Sequence, residues 1–196
     1  MSKKEQNFFD QLAERWDDIR SLNSKIIMGL VNIVGFREGD HVLDVGCGTG
    51  VLVPFVKKVI GDTGRITAVD FSSNMIARAI QKHKELTGIT FIAEDIMNFR
   101  SDVSFDRIIC FNFFPHVEEK SLFLQQMHEQ LSDNGCLVIM HDRSRKQVNS
   151  IHSRCETVKN DHLLKGETIA GMLTELNYRV TNMIDNEEIY FVKAMI

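Results

Sequence analysis

Three carboxylates occur near the ends of three consecutive apolar segments, with a glycine-rich loop between the first two. Asp44 lies in the first segment, two residues before a glycine, Asp70 ends the second segment, and Asp95 follows the third. Because the carboxyl ends of parallel strands meet at one edge of a sheet, ligands bind there. A single acid after a strand is as often a helix cap or a turn residue, but three in this order indicate one binding site.

The glycine-rich loop separates two classes of nucleotide site. It consists of Gly46, Cys47, Gly48, Thr49 and Gly50. Glycines permit a tight turn and a close approach of the backbone to a ligand. A dinucleotide fingerprint would have its last glycine or alanine at Val51, and Asp44 would repel a pyrophosphate. The same carboxylate would attract the ammonium and sulfonium groups of S-adenosylmethionine. No Lys-Ser/Thr pair follows the loop, so a P-loop is excluded.

The two later acids suit the remaining parts of that cofactor. Asp70 can accept hydrogen bonds from both ribose hydroxyls, although NAD would need the same contact. Asp95 can accept a hydrogen bond from the adenine amino group. Three apolar side chains near these acids can enclose the adenine ring, namely Phe71, Met75 and Ile96.

Alternating strand and helix patterns provide the elements that would position these residues. The predicted strands are 42–45, 65–69, 89–93, 107–111, 136–140, 178–184 and 188–194. The first five alternate with helical periodicity, so we expect them to be parallel with helices on both faces. The short connection through Asp185 and Asn186 predicts an antiparallel hairpin at the end. The predicted fold class is α/β, a Rossmann-like doubly wound seven-stranded sheet, mostly parallel with an antiparallel C-terminal hairpin strand.

Two helices are predicted before the sheet. Apolar residues recur at helical spacing over 8–19, and a second helix begins with Ser24 as its cap. No repeat, low-complexity tract or Pro/Ser-rich linker interrupts the sequence. We therefore expect a single domain over 1–196, with 1–35 as a helical cap over the cofactor site and 36–196 as the Rossmann-like core.

Taken together, the ordered motifs resemble those of class I S-adenosylmethionine-dependent methyltransferases, and most of all the ubiquinone/menaquinone-biosynthesis-like branch that methylates small molecules. The matching segments are Val42–Gly50, Ile66–Met75, Phe91–Ile96 and Phe105–Asn112. The aromatic stretch Phe8–Asp17 is similar to the amino-terminal helix of that branch, which closes over the cofactor. The region after strand five is short and lacks a recognisable lid insert, which argues against a large quinone as the acceptor.

This resemblance implies a role for each part of the loop and the strand ends. Gly46 and Gly48 with Asp44 would hold the methionine part of S-adenosylmethionine, within a loop that also contains Cys47 and Gly50. The ribose would bind Asp70, the adenine would bind Asp95 and Ile96 between Phe71 and Met75, and the backbone near Asn112 would line the methionine pocket. The product would be S-adenosyl-L-homocysteine.

Two histidines are the candidate catalytic residues. His116 follows the fourth strand and His141 ends the fifth, and a histidine of near-neutral pKa can accept a proton from an acceptor. A capping or loop role for His116 is the alternative. The candidate substrate contacts are Phe113, Phe114, Arg145 and His152. The alternatives for them are core packing of the two phenylalanines and a solvated surface helix around the other two. Histidine spacing over 141–162 is too loose to predict a metal site.

Composition limits the class of partner. The formal net charge is −4 with scattered basic residues, and Asn112-Phe113-Phe114-Pro115 lacks the Asn/Asp-Pro-Pro-aromatic pattern of amino-methylating nucleic-acid enzymes. Nucleic acid is therefore an improbable acceptor and a small molecule is expected. No apolar run has membrane-spanning length and no signal region opens the chain, so we expect a cytoplasmic protein. We expect it to be a monomer or a homodimer.

Three other functions stay open at this point. They are a non-catalytic module that binds S-adenosylmethionine, a methyltransferase acting on RNA or protein, and an NAD-dependent reductase. Val51 and Asp44 disfavour the reductase. The four cysteines have no CxxC spacing and are expected to be free thiols.

Overall fold

A computed structural model describes residues 3–20 and 22–196, and the chain divides into two compact units, Met1–Arg100 and Ser101–Ile196. The first unit contains the strands β1 (His41–Val45), β2 (Arg65–Asp70) and β3 (Ile89–Ala93). Its helices are α1 (Lys3–Leu12), α2 (Trp16–Ile19), α3 (Ser24–Val34), α4 (Val53–Ile60) and α5 (Ser73–Lys82), with a 3-10 turn at Ala13–Arg15.

The three strands of the first unit are parallel and have the order β3-β2-β1. Val45 pairs with Val69, and Asp70 pairs with Ala93, so the three strands end at the same level. Val42, Leu43 and Val45 are fully buried, as expected for a parallel strand covered on both faces. The register therefore gathers the loops after β1, β2 and β3 at one edge, as the sequence predicts.

Capping residues determine where the helices of the first unit begin. The Asn23 side chain accepts hydrogen bonds from the backbone N–H groups of Lys25 and Ile26, at 3.0 and 3.3 Å. The prediction that Ser24 caps α3 was wrong by one residue, because Ser24 already has helical conformation. At α5, Ser72 is the cap and accepts from the Met75 N–H at 3.2 Å.

The second unit contains the strands β4 (Phe105–Phe111), β5 (Leu131–His141), β6 (Arg179–Asp185) and β7 (Tyr190–Met195). Its helices are α6 (Lys120–Gln130), α7 (Arg145–His152) and α8 (Gly166–Glu175), with a 3-10 turn at Phe114–His116. The strand β5 is parallel to β4 and antiparallel to β7, which is antiparallel to β6.

The strand β5 begins five residues earlier than the predicted strand 136–140. Asp133, Asn134 and Gly135, which form a sequence typical of turns, lie inside it, and Asn134 has a left-handed φ of 62°. The β4/β5 register shifts between Phe105 and Arg107. The turn signal therefore produces an irregularity within a strand rather than a strand boundary.

The order of the seven strands is β3-β2-β1-β4-β5-β7-β6 in one sheet. This order confirms the predicted α/β fold class, with parallel strands and an antiparallel C-terminal hairpin. Over residues 3–20 and 22–196, no helix has both the length and the apolar character needed to cross a membrane. The four cysteines are free thiols, as expected from their spacing.

Candidate functional site

The loop after β1 uses glycine at each of its tightest positions. Gly46, Gly48 and Gly50 have φ values of 67°, 54° and 75°, a region that residues with a Cβ adopt only at a cost in energy. The N–H groups of Gly46 and Cys47 donate to the Val69 carbonyl, at 2.8 and 3.1 Å. The loop is thereby fixed to the end of β2.

Two carboxylates lie beside this loop, and both are buried. Asp70 accepts hydrogen bonds from the N–H groups of Gly48 and Ser72, at 2.8 and 2.9 Å. The Asp44 carboxyl is 4% exposed. Burial, and then the negative charge of Asp70, raise the pKa of Asp44 to about 7. A cation placed beside the two acids would reverse this effect, so the site favours a positively charged ligand.

The thiol of Cys47 belongs to the same loop but has no nucleophilic character. Burial, followed by the charges of Asp70 and Asp44, raises the pKa of the thiol well above its usual range. Since the thiolate is the reactive form, the group remains a neutral thiol. Cys47 therefore acts in the loop through its backbone and its packing.

The segment before β1 covers the turn between β2 and α5. The Asp10 carboxylate accepts from the Ser72 hydroxyl at 2.5 Å and from the Asn74 N–H at 3.3 Å. The Gln6 side-chain amide donates to the Phe71 carbonyl at 2.9 Å. These bonds join α1 to the residues that follow Asp70.

A second set of contacts joins the same segment to the glycine loop itself. The Asp17 carboxylate accepts from the Thr49 hydroxyl at 2.6 Å and forms an ion pair with Lys82 at 2.8 Å. Partial burial would raise the pKa of Asp17, but the hydrogen bonds from Lys82 and Thr49 outweigh it and leave the pKa lowered. Asp17 is therefore ionised at neutral pH and retains both contacts.

Aromatic packing completes the cover over the loop. The Phe9 ring lies edge-on to the rings of Trp16 and Phe71, with centroids 5.6 and 5.8 Å apart. A Cβ at Gly48 would lie 3.5 Å from the Trp16 indole nitrogen. Trp16 of the aromatic stretch Phe8–Asp17 thus lies against the glycine loop, and Phe9 packs against Trp16.

The residues predicted for the adenine follow β2 and β3. Asp95 accepts from the Met97 N–H at 3.0 Å, which fixes the turn after β3. Phe71 is partly exposed and Ile96 is buried. Met75 is 1% exposed, which gives it a packing role in this structure. An adenine contact of Asp95, Ile96, Phe71 or Met75 stays a prediction.

In the second unit, Asn112 connects the ends of β4 and β5. Its backbone φ is 54°, its N–H donates to the Met140 carbonyl at 2.9 Å, and its side-chain amide donates to the Asp142 carboxylate at 2.9 Å. The sequence predicts Asn112 as a site residue but does not reveal its bond to Asp142. The pattern of a polar residue directly after each of two neighbouring strands is the signal that could have found the pair.

The two phenylalanines after Asn112 pack against the same ring. Phe113 and Phe114 are both buried, and their centroids lie 6.3 and 6.0 Å from that of Phe123. The structure gives Phe114 the core-packing role that sequence analysis held as the alternative. A contact of either ring with substrate stays a prediction.

Three histidines of the second unit are candidate site residues. His116 and His152 lie together, with ring centroids 5.0 Å apart. Both of their Nδ1 atoms lie 2.6 Å from Asp161, His116 facing the carboxylate and His152 facing the backbone carbonyl. His141 is 1% exposed and lies edge-on to Tyr190, with ring centroids 5.9 Å apart. A catalytic role of His116 or His141 stays a prediction, and Asp161 is a partner of His116 and His152 that spacing alone did not identify.

Arg145 forms an ion pair with Asp185 at 3.0 Å. The same carboxylate oxygen accepts from the Gly166 N–H at 3.1 Å, so it joins the starts of α7 and α8 to the end of β6. A substrate contact of Arg145 stays a prediction, and the ion pair with Asp185 would compete with such a contact.

A family model for a methyltransferase domain matches residues 36–189. Malonyl-[acyl-carrier protein] O-methyltransferase of Bacillus cereus is 28% identical over 170 residues, which are 85% of this chain and 62% of the relative. Demethylmenaquinone methyltransferase of Staphylococcus epidermidis is 29% identical over 150 residues, covering 71% of this chain and 61% of the relative. The chain thus spans about three-fifths of the length of these curated relatives.

Solved structures show the same fold at lower sequence identity. A SAM-dependent methyltransferase from Aquifex aeolicus superposes with a TM-score of 0.75 at 20% identity, covering 95% of this chain and 98% of the other. The N-methyltransferase NodS from Bradyrhizobium japonicum, solved with S-adenosyl-L-homocysteine, gives 0.70 at 20% identity, covering 95% and 97%.

A Gly50→Ala substitution tests the backbone of the loop. A Cβ there would lie 2.8 Å from two atoms of the His83 ring, in a residue whose φ is +75°. We expect the free energy of unfolding to fall by about 1–3 kcal/mol, measured by urea denaturation. Adding His83→Ala to Gly50→Ala should restore only the part of the free energy of unfolding that is lost through contact of the new Cβ with the His83 ring. The control Gly171→Ala, where no atom lies within 4 Å, should stabilise α8 by up to about 1 kcal/mol.

An Asp44→Asn substitution tests the buried acid. Because the folded-state pKa of about 7 exceeds the ordinary value of 3.8, protonation of this group favours folding below pH 4, and that stability is lost as pH rises from about 4 to 7. We expect the ligand-free variant to exceed wild type in stability near pH 8 by up to about 4 kcal/mol, and by less near pH 5. The exposed Asp62→Asn variant should follow wild type at both pH values. A constant difference between Asp44→Asn and wild type would contradict the assignment.

Proposed function

This chain belongs to the methyltransferase-domain family, and from that premise we propose that it transfers a methyl group from S-adenosylmethionine to a small-molecule acceptor. The observation that carries the proposal is the buried pair Asp44 and Asp70 beside a loop of three glycines with positive φ. Acids at this position suit a ligand that is cationic near the loop.

The charge pattern favours this cofactor over a dinucleotide. Burial and the nearby Asp70 hold the pKa of Asp44 near 7, so an anionic pyrophosphate would add a third negative group to an already unfavourable arrangement. The ammonium and sulfonium of S-adenosylmethionine would instead stabilise the ionised carboxyl. The absence of a final glycine or alanine at Val51 supports the same choice.

Each selected residue of the first unit has a proposed contact. Gly46, Gly48 and Asp44 would hold the methionine part, with Cys47 and Gly50 completing the loop. Asp70 would accept from the ribose hydroxyls. The proposed adenine contacts are Phe71, Met75, Asp95 and Ile96. In the second unit, the backbone near Asn112 is proposed to line the methionine pocket.

The reaction asks little covalent chemistry of the protein. S-Adenosylmethionine supplies an activated methyl group on a positively charged sulfur, and the products are the methylated acceptor and S-adenosylhomocysteine. The chain's residues would bind the two substrates, align them for in-line displacement and exclude water. Acceptors that carry a proton need in addition a group that removes it.

The acceptor is proposed to be a small molecule rather than nucleic acid. Two curated relatives are named as methyltransferases of malonyl-[acyl-carrier protein] and of demethylmenaquinone. The second unit offers His116, His141, His152, Arg145 and the Phe113 ring as candidate acceptor contacts, while Phe114 is fully buried.

Calorimetric titration with S-adenosylhomocysteine tests the cofactor assignment. We expect wild type to bind it, and Asp70→Asn to bind about 10–100-fold more weakly because a charged hydrogen-bond acceptor is lost. Asp62→Asn removes an exposed acid from the same unit and should bind as wild type does. If the folded wild-type protein does not bind S-adenosylhomocysteine but binds NAD, the proposal is overturned.

A further inference from the structure

Asp161 binds two histidines through two different oxygens. Its carboxylate Oδ2 lies 2.6 Å from Nδ1 of His116, and its backbone carbonyl lies 2.6 Å from Nδ1 of His152. The two rings are 5.0 Å apart with an interplanar angle of 33°. One residue in the segment between α7 and α8 thus determines the orientation of both imidazoles.

The bond to a carbonyl decides which nitrogen of His152 carries hydrogen. A carbonyl oxygen can only accept, so Nδ1 of His152 must be the donor. In the neutral ring, Nε2 then holds a lone pair. Within residues 3–20 and 22–196, no hydrogen bond is made to Nε2 of His152, and the ring is only partly buried.

The groups around His152 are suited to a reversible gain of a proton. Burial is the largest effect and lowers the pKa of His152, with smaller lowering by the charges of His116 and His162. The Asp161 carbonyl and carboxylate act in the opposite direction, and Lys120 is a further cation whose charge Asp161 feels. His152 is therefore neutral at physiological pH, and an imidazolium formed there would lie near a carboxylate.

Hydrogen bonds on both sides of Asp161 hold this arrangement. The helix α7 begins with a capping box, in which Ser144 accepts from the Gln147 N–H and the Gln147 side chain accepts from the Ser144 N–H, at 3.3 and 3.0 Å. The Asn149 amide donates to the Leu163 carbonyl at 3.1 Å and accepts from the Leu163 N–H at 2.8 Å. The polar residues of this segment therefore position a carbonyl and a carboxylate against two rings.

We propose that Nε2 of His152 accepts the proton of the methyl acceptor, that Asp161 is its positioning residue, and that the acceptor is an O–H or N–H group protonated at neutral pH rather than a carboxylate. This inference rests on the proposed function. The acceptor heteroatom attacks the methyl carbon, the carbon–sulfur bond breaks with its electron pair moving to sulfur, and the proton passes from the heteroatom to Nε2, from which water removes it.

The first experiment needs no acceptor. Side-chain ¹⁵N NMR should show His152 as the Nδ1–H tautomer, neutral at pH 7. Asp161→Asn keeps the backbone carbonyl but removes the negative charge, so the tautomer should persist while the pKa of His152 falls. A His152 that is protonated at pH 7, or that carries its hydrogen on Nε2, would refute the proposal.

The second experiment measures methyl transfer from S-adenosylmethionine to a phenol, an amine and a malonyl thioester. For the O–H or N–H acceptor, kcat/KM should fall at acid pH as His152 becomes protonated, which gives the pH profile an acid limb. Asp161→Asn should move this limb to lower pH. His152→Gln, which retains a donor for the Asp161 carbonyl, should abolish the limb and lower kcat about 10²–10⁴-fold, with unchanged affinity for S-adenosylhomocysteine.

The control is Asn149→Ala, which loosens the same segment and leaves both imidazoles in place. It should retain the acid limb of the pH profile. Equal losses of kcat in Asn149→Ala and His152→Gln, or transfer to the malonyl thioester alone, would reduce His152 to a structural role. Failure of wild type to bind S-adenosylhomocysteine would instead overturn the proposed function itself, so the two failures are distinguishable.

Discussion

Asp44 and Asp70, at the ends of β1 and β2, are both buried from water. Backbone hydrogen bonds from the surrounding loops offset part of their lost hydration. Burying a carboxylate is unfavourable unless hydrogen bonds or a cation offset the loss of water. Asp70 has such compensation, since two backbone N–H groups donate to it. Asp44 is compensated less, and burial beside Asp70 raises its pKa to about 7. The first unit thus contains an electrostatically unfavourable pair of buried acids, which a cationic ligand can stabilise.

The local structure around the pair follows from this constraint. For the Gly48 N–H to reach Asp70, the loop must turn through left-handed φ values, which restricts it to glycine at three positions. The Ser72 N–H donates to Asp70 while the Ser72 hydroxyl caps α5. The same hydroxyl donates to Asp10 of α1. Helix cap, acid and amino-terminal cover are therefore joined through one serine, and a change in any of them would be transmitted to the others.

Sequence predicted the fold well because its signals are local. The strands of the first unit follow from apolar runs bounded by turn residues, and the observed bounds differ from the predicted ones by a residue at most. Local signals failed where two neighbouring residues could serve equally, as with Asn23 and Ser24, or where a turn sequence was absorbed into β5. The partnerships of Asp161 with His116 and of Arg145 with Asp185 join residues 45 and 40 positions apart. No period or spacing encodes such pairs, so the sequence suggested His116, Arg145 and His152 as candidate residues without showing which atoms they meet.

Burial has opposite consequences for the ionisable groups of the two units, and both suit methyl transfer. In the first unit it raises the pKa of Asp44, so the acid is most stable with a cation beside it. In the second unit it lowers the pKa of His152, so the proposed base is neutral and able to accept a proton. Low dielectric disfavours the charged form in each case, so the same shielding from water suits the carboxyl for the proposed cationic cofactor and the imidazole for the proposed proton transfer.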